Sequence, residues 1–261
     1  MTGITINIDP VIFRVGNFSL RWYSLIIIVA VLAALYFSWR EARRLGLKPD
    51  DVTNLALWGI PGGIIGSRLV HVIDQLDYYL EHPRKIFGGE GQAIYGAILG
   101  GALAVWIGSR VHRIPFAKFM DVLAPGLIIA QAIGRLANIV NGDAAGKQTG
   151  LPWGFTYTNL DTYAPQGVPT HPSPVYEIIW DLIVLGIVLR LRGRLRPDGS
   201  LFIFYLALYS VGRFFITFTR VNNPWLFGLV QAQIIALAIL LVTVPWLVAR
   251  AHWVRKETSG G

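Results

Sequence analysis

Three arginines stand inside apolar runs long enough to cross a bilayer: Arg68, Arg135 and Arg213. An arginine at the centre of such a helix costs about 2.5–3.5 kcal/mol on insertion scales, so each needs a reason to be there. The planar guanidinium fork binds a phosphate or a carboxylate through two hydrogen bonds. Two or three of these groups on one cavity would make a site for a phospholipid head group. The plainer alternative is that each snorkels to an interface or pairs with a buried acid, with Asp74, Asp121, Glu177 and Asp181 near or within the spans. Arg68, six residues from the end of its run, suits that alternative best. Arg220 follows Arg213 by seven residues, about two turns, so both face one side if the helix reaches that far.

The polar neighbours of Arg135 sharpen the first reading. Residues 134–146 read GRLANIVNGDAAG. On a continuing helix Arg135, Asn138 and Asn141 fall within an arc of about 120°, giving a stripe of one guanidinium and two amides. Such a stripe could also be a hydrogen-bonded seam between helices. Asn141-Gly142-Asp143 reads as the turn that ends the helix. A second polar segment, His171-Pro172-Ser173-Pro174-Val175-Tyr176-Glu177, starts another span and puts Glu177 one turn inside it, where it needs an arginine to stay ionised. His71 is a proton acceptor by type, although one histidine on a span is commonly structural. Tyr23 and Tyr95 read by default as interface or core tyrosines.

These residues need helices to carry them. Of 261 residues, 54% are hydrophobic and only 15% charged, against about 25% charged in soluble domains. That balance excludes a soluble enzyme, a disordered chain and a nucleic-acid-binding protein, although Lys and Arg number 23 against 15 acids. Seven apolar runs read as spans: 19–39, 52–74, 93–109, 116–140, 173–192, 201–219 and 226–249. Outside the three intramembrane arginines, fourteen Lys and Arg lie near the ends of the runs on one side and six on the other, alternating loop by loop. The richer side includes the C-terminal Arg250, Arg255 and Lys256, which places the C-terminus in the cytoplasm and the N-terminus outside.

The start of the chain lacks a basic segment before its first apolar run, so the first helix is expected to be retained. The fold class is therefore all-α: a polytopic membrane protein in one domain, with residues 141–172 as an outer loop or cap. Gly59, Gly62, Gly63 and Gly66 in the second run, and Gly96, Gly100 and Gly101 in the third, point to close helix packing. The absence of cysteine excludes a disulfide scaffold and a cysteine nucleophile. GxxxxGK[ST], HExxH and GxSxG are all absent, so neither a cofactor nor a metal is expected.

At these residues the chain resembles the prolipoprotein diacylglyceryl transferases, integral membrane enzymes of bacteria. The family signature is similar to G-R-x-x-N-x-x-N-x-E-x-x-G, matched by Gly134-Arg135, Asn138, Asn141 and Gly146. Arg21-Trp22-Tyr23, Gly66 with Arg68, the YGAILGG run from Tyr95, HPSPVYE at 171–177, and Arg213-Phe214 with Arg220 also match in order. Three positions depart: Tyr95 stands where many members have histidine, Asp143 where the signature has glutamate, and Thr217 where an acid often follows the arginine.

The resemblance implies transfer of the diacylglyceryl group of phosphatidylglycerol to the lipobox cysteine of a lipoprotein precursor, with glycerol 1-phosphate leaving, in the bacterial plasma membrane. It implies Arg135 and Arg213 on the head-group phosphate, assisted by Arg68 or Arg220. Asn138, Asn141 and Asp143 would orient the glycerol and the outer loop; Gly146, His171 and Glu177 would complete the substrate site. Tyr23 and Tyr95 would shape the cavity, Tyr95 relaying a proton, with His71 as reserve base. The rival class is a lipid or small-anion transporter, which also uses intramembrane arginines and Gly-rich helices.

Overall fold

The computed structural model describes residues 3–16, 18–88, 91 and 93–254; Arg255 and Lys256, counted above, lie outside the described residues. It is a mostly helical integral membrane protein. Among the described residues six helices are long and apolar enough to cross a membrane: α1 (Trp22–Arg44), α2 (Pro49–Asp74), α4 (Ile94–Val111), α5 (Phe116–Asn141), α7 (Ser200–Ile216) with the 3-10 turn Thr217–Thr219 that extends it, and α8 (Gln231–Arg250). The short α3 (Leu76–Glu81) follows α2. The seventh long helix, α6 (Ser173–Leu191), is set apart by its charges, with Glu177, Asp181 and Arg190 among its 19 residues. Two compact units make up the chain: Met1–Ser38 with Met120–Gly261, and Trp39–Phe119.

In the smaller unit α2 begins with Pro49 and the acids Asp50 and Asp51, which suit a helix N-terminus. Asp51 also accepts a hydrogen bond from the Lys48 backbone N–H at 3.0 Å. α2 and α4 meet backbone to backbone. A Cβ added at Gly66 would lie 2.4 Å from the Gly96 carbonyl oxygen, and one at Gly100 would lie 2.5 Å from that of Gly62. The glycines thus do what their spacing predicted: they remove side chains from a seam with no room for them.

In the larger unit α5, α6 and α7 share a core of Ala124, Ile128, Val184, Val188, Leu201 and Tyr205. α1 reaches α5 at Gly126, where a Cβ would come within 2.6 Å of the Ala34 carbonyl oxygen. α7 starts after Gly199, at φ 91°, with no side-chain cap of its own. Asp121 of α5 supplies one: its carboxylate accepts the N–H groups of Gly199 at 2.8 Å and Phe202 at 2.9 Å. A carboxylate there also answers the positive end of the helix. Asp121, considered above as an arginine's counter-charge, is thus occupied as a remote cap.

Short strands are the feature that the all-α expectation left out. β1 (Ile4–Ile6) pairs in parallel with β4 (Phe155–Tyr157), β2 (Val11–Val15) forms a hairpin with β3 (Phe18–Arg21), and β5 (Leu195–Arg196) pairs with β6 (His252–Trp253). At two to five residues, none is long enough for a period of two to stand out in the sequence. The hairpin also moves the first boundary: residues 19–21 are strand, and α1 runs from Trp22 to Arg44. Likewise the last helix opens at Gln231, because a tight turn closed by Leu226 and Leu229 precedes it.

Candidate functional site

α5 continues unbroken to Asn141 and ends at Gly142, whose φ of 73° is the left-handed conformation glycine adopts freely. A Cβ there would also come within 2.9 Å of the Thr162 side chain. The helix therefore carries Arg135, Asn138 and Asn141 to the turn holding Asp143, and the four join in one chain of hydrogen bonds. Arg135 Nη1 donates to Asn138 Oδ1 at 3.3 Å. Asn138 Nδ2 and Asn141 Nδ2 donate to the two Asp143 oxygens at 2.8 and 3.2 Å. Asn141 Oδ1 in turn accepts from Arg21 Nη1 at 3.0 Å, and Arg21 lies over the Tyr163 ring. Tyr23, two residues on, is close enough to feel the charges of Asp143 and Arg135.

Glu177 is the meeting point of the arginines. It is 5% exposed. Its Oε2 pairs with Arg135 Nε, and its Oε1 accepts from Arg213 Nη1 at 2.6 Å and Arg220 Nη1 at 3.2 Å. Three guanidinium charges thus share one carboxylate, an excess of two positive charges in a largely buried place. Such an excess demands an anion. Beside the cluster lies a cavity lined by Arg135, Arg213, Glu177, Asp181, Trp180 and Tyr209, with Gly212 and Ile216. Gly212 makes space for its indole wall, because a Cβ there would fall 2.1 Å from the Trp180 ring.

α7 does not extend to Arg220. It ends at Ile216, and the tighter turn Thr217–Thr219 carries the chain on to Arg220 in extended conformation. The loop after α5 then holds Arg220 in place. Lys147 N–H donates to the Thr219 carbonyl at 2.7 Å, Gly146 N–H to the His171 carbonyl at 3.0 Å, and His171 N–H to the Lys147 carbonyl at 2.9 Å. Ser173 Oγ and Thr219 Oγ1 share a hydrogen bond of 2.8 Å. A Cβ on Gly146 would sit 2.5 Å from the His171 carbonyl oxygen and 2.7 Å from that of Thr219. The backbones of Gly146 and His171 thus clamp the extended segment that presents Arg220, while the His171 ring lies beside Tyr176, with Nδ1 3.3 Å from its hydroxyl. Burial lowers the pKa of that guanidinium, and Arg213 and Arg135 push the same way, while Glu177 opposes them.

The segment between α5 and α6 packs on the end of α5. Tyr157 of β4 donates its hydroxyl to the Ile139 carbonyl at 3.0 Å, and Tyr163 N–H donates to the Asn141 carbonyl at 3.0 Å. Burial, with Asp143 nearby, pushes the Tyr157 phenol up to about 12. It is a structural hydroxyl.

Three of the expected residues belong to the smaller unit. Arg68 spends its N–H groups on backbone: Nε donates to the Ile86 carbonyl at 2.8 Å, Nη1 to that of Gly91 at 3.1 Å, and Nη2 to that of Lys85. Its guanidinium also lies over Tyr79. His71 packs edge-on against the same ring, and a Cβ on Gly91 would overlap its Nε2. Tyr95 is the second residue of α4 and half-buried.

Sequence reasoning named the core of the cluster and left out Arg21, Trp180, Tyr209 and Gly212 as site residues. Asp181 entered it only as one acid among four. For Asp181 a signal existed, since it follows Glu177 by one helical turn on α6. For Arg21 the signal was its place in the Arg21-Trp22-Tyr23 match to the family, whereas its partner Asn141 lies 120 residues away.

Residues 10–249 match the family described as prolipoprotein diacylglyceryl transferase. Among similar proteins, the phosphatidylglycerol--prolipoprotein diacylglyceryl transferase of Dehalococcoides mccartyi (strain BAV1) is 40% identical over 246 residues, 94% of this chain and 95% of that protein. The protein of the same name from Clostridioides difficile (strain 630) is 36% identical, with 96% and 98% covered. That of Nostoc sp. (strain PCC 7120) is 38% identical, with 92% and 90% covered.

Proposed function

We propose that this chain, which belongs to the prolipoprotein diacylglyceryl transferase family, moves the diacylglyceryl group of phosphatidylglycerol onto the lipobox cysteine thiol of a lipoprotein precursor. A sulfur–carbon bond forms with the thiolate's electron pair, the carbon–oxygen bond to phosphate breaks, and glycerol 1-phosphate leaves with that bond's electrons. The phosphate changes from a diester monoanion to a monoester dianion, and the thiol proton is released. The enzyme must therefore hold an anion and stabilise charge growing on it. The observation that carries this reading is the convergence of Arg135, Arg213 and Arg220 on Glu177 beside a cavity.

In this reading Arg135 and Arg213 hold the phosphate and Arg220 assists. Asn138, Asn141 and Asp143 orient the glycerol and fix the direction of Arg135. Tyr23 shapes the cavity. Tyr95 and His71 are candidates for handling protons by type, and Arg68 is assigned to bracing the backbone at Lys85, Ile86 and Gly91. α6 is read as the seventh crossing: its two acids serve the cluster and cavity, and Arg190 lies in its last turn. The alternation of Lys and Arg supports an outside N-terminus, a cytoplasmic C-terminus and an outer cap at 141–172, in the plasma membrane of a bacterium.

The test is mass spectrometry of a lipobox peptide incubated with the detergent-purified protein and phosphatidylglycerol. The expected result is a gain of one diacylglyceryl group, lost when the peptide cysteine becomes serine. An unchanged peptide mass with folded protein would overturn the reading.

A further inference from the structure

The arginine cluster leaves one buried carboxylate unaccounted for. Asp181 is 4% exposed, lies one turn beyond Glu177 on α6, and lines the same cavity as Arg135 and Arg213. Among the described residues it takes part in no hydrogen bond and no ion pair; Glu177 alone receives the three arginines. The groups whose charge it faces are Arg135 of α5, Arg213, Tyr205 and Tyr209 of α7, and Glu177 on its own helix.

A poorly solvated site favours the occupant that leaves it nearest neutrality. With Asp181 ionised, the cluster's excess of two positive charges falls to one, which matches a phosphodiester. With Asp181 protonated, the excess stays at two, which matches a phosphate monoester dianion. The reaction converts the first anion into the second and frees one proton.

We propose that Asp181 is the charge-balancing residue of this site: it is ionised opposite the phosphodiester and takes up the reaction's proton as the leaving phosphate gains its second charge. The inference rests on the reading of the arginine cluster as the phosphate site. The thiol proton leaves sulfur, resides on an Asp181 oxygen while the dianion is bound, and passes to water when the product departs. No other reactant is needed.

The experiment is titration calorimetry on the detergent-purified full chain at pH 7.5, in two buffers of different ionisation enthalpy. The probes are glycerol 1-phosphate and the diester glycerophosphoglycerol. A phosphate monoester, with its second pKa near about 6, is already a dianion there. The wild type should take up about one proton with the dianion and none with the diester. Equivalently, its affinity for the dianion should weaken about tenfold per pH unit above neutrality.

Asp181→Asn should bind the dianion without proton uptake, at least about tenfold more tightly relative to the diester, and should turn over more slowly as product release slows. Asp181→Ser serves as a second non-ionising variant where the first does not fold, and Asp181→Glu should restore the uptake. No uptake in the wild type, or unchanged uptake in both non-ionising variants, overturns the role of Asp181 and leaves the phosphate site standing. Binding of neither probe, or binding unaltered by Arg135→Ala with Arg213→Ala, overturns the phosphate-site reading itself.

Discussion

Arg135 holds Glu177 with Nε and Asn138 with Nη1, and it is this pair of directions that a lysine cannot copy. Arg135→Lys keeps the charge and loses the fork, so turnover in the lipobox-peptide assay should fall about tenfold or more, the worth of one charged hydrogen bond. Arg135→Ala should abolish turnover while the protein stays monodisperse in detergent; normal activity in that variant would contradict the assignment. Glu177→Gln tests the cluster from the other side. Three guanidinium groups would then lose the one carboxylate they all contact, a loss of about 3–5 kcal/mol for a broken buried pair. Its thermal midpoint should drop, and added inorganic phosphate should raise that midpoint more in Glu177→Gln than in the wild type.

Elements decide whether those side chains meet at all. The start of α7, which leads down to Arg213, has its N–H groups held by a carboxylate on another helix. Asp121→Ala removes both acceptors from a buried place, and about 1–3 kcal/mol of stability should go with them, read as a lowered unfolding midpoint. The same change should weaken Arg213 indirectly, raising KM before kcat. In the smaller unit the limit is steric. Gly66→Leu would push a side chain into the Gly96 backbone, and α2 and α4 cannot then keep their separation. A variant with normal expression and unfolding midpoint would contradict that packing.

For the whole molecule the testable quantity is its orientation. The native chain has no cysteine, so single substitutions report sidedness without background. Leu160→Cys, 87% exposed in the segment after α5, should react with a membrane-impermeant maleimide on intact cells. Lys48→Cys, exposed before α2, should react only after the membrane is opened. The opposite pattern would reverse the topology inferred from the alternation of Lys and Arg.

Much of this was legible in the letters because it depends on neighbours in sequence. Hydropathy over about 20 residues marks a span, glycines at helical spacing mark a tight seam, and Arg135, Asn138 and Asn141 share a face whenever the helix between them is continuous. The sequence by itself thus determined the membrane class, the long helices and the polar stripe. Tertiary structure alone decided that Arg135, Arg213 and Arg220 meet on Glu177, that Arg21 closes the chain through Asn141, that Asp121 caps a helix, and that Arg68 turns to its own loop. The reason is physical: an arginine in an apolar run has a desolvation cost readable from its surroundings in sequence, whereas the partner that offsets the cost comes from whichever helix the packing brings alongside.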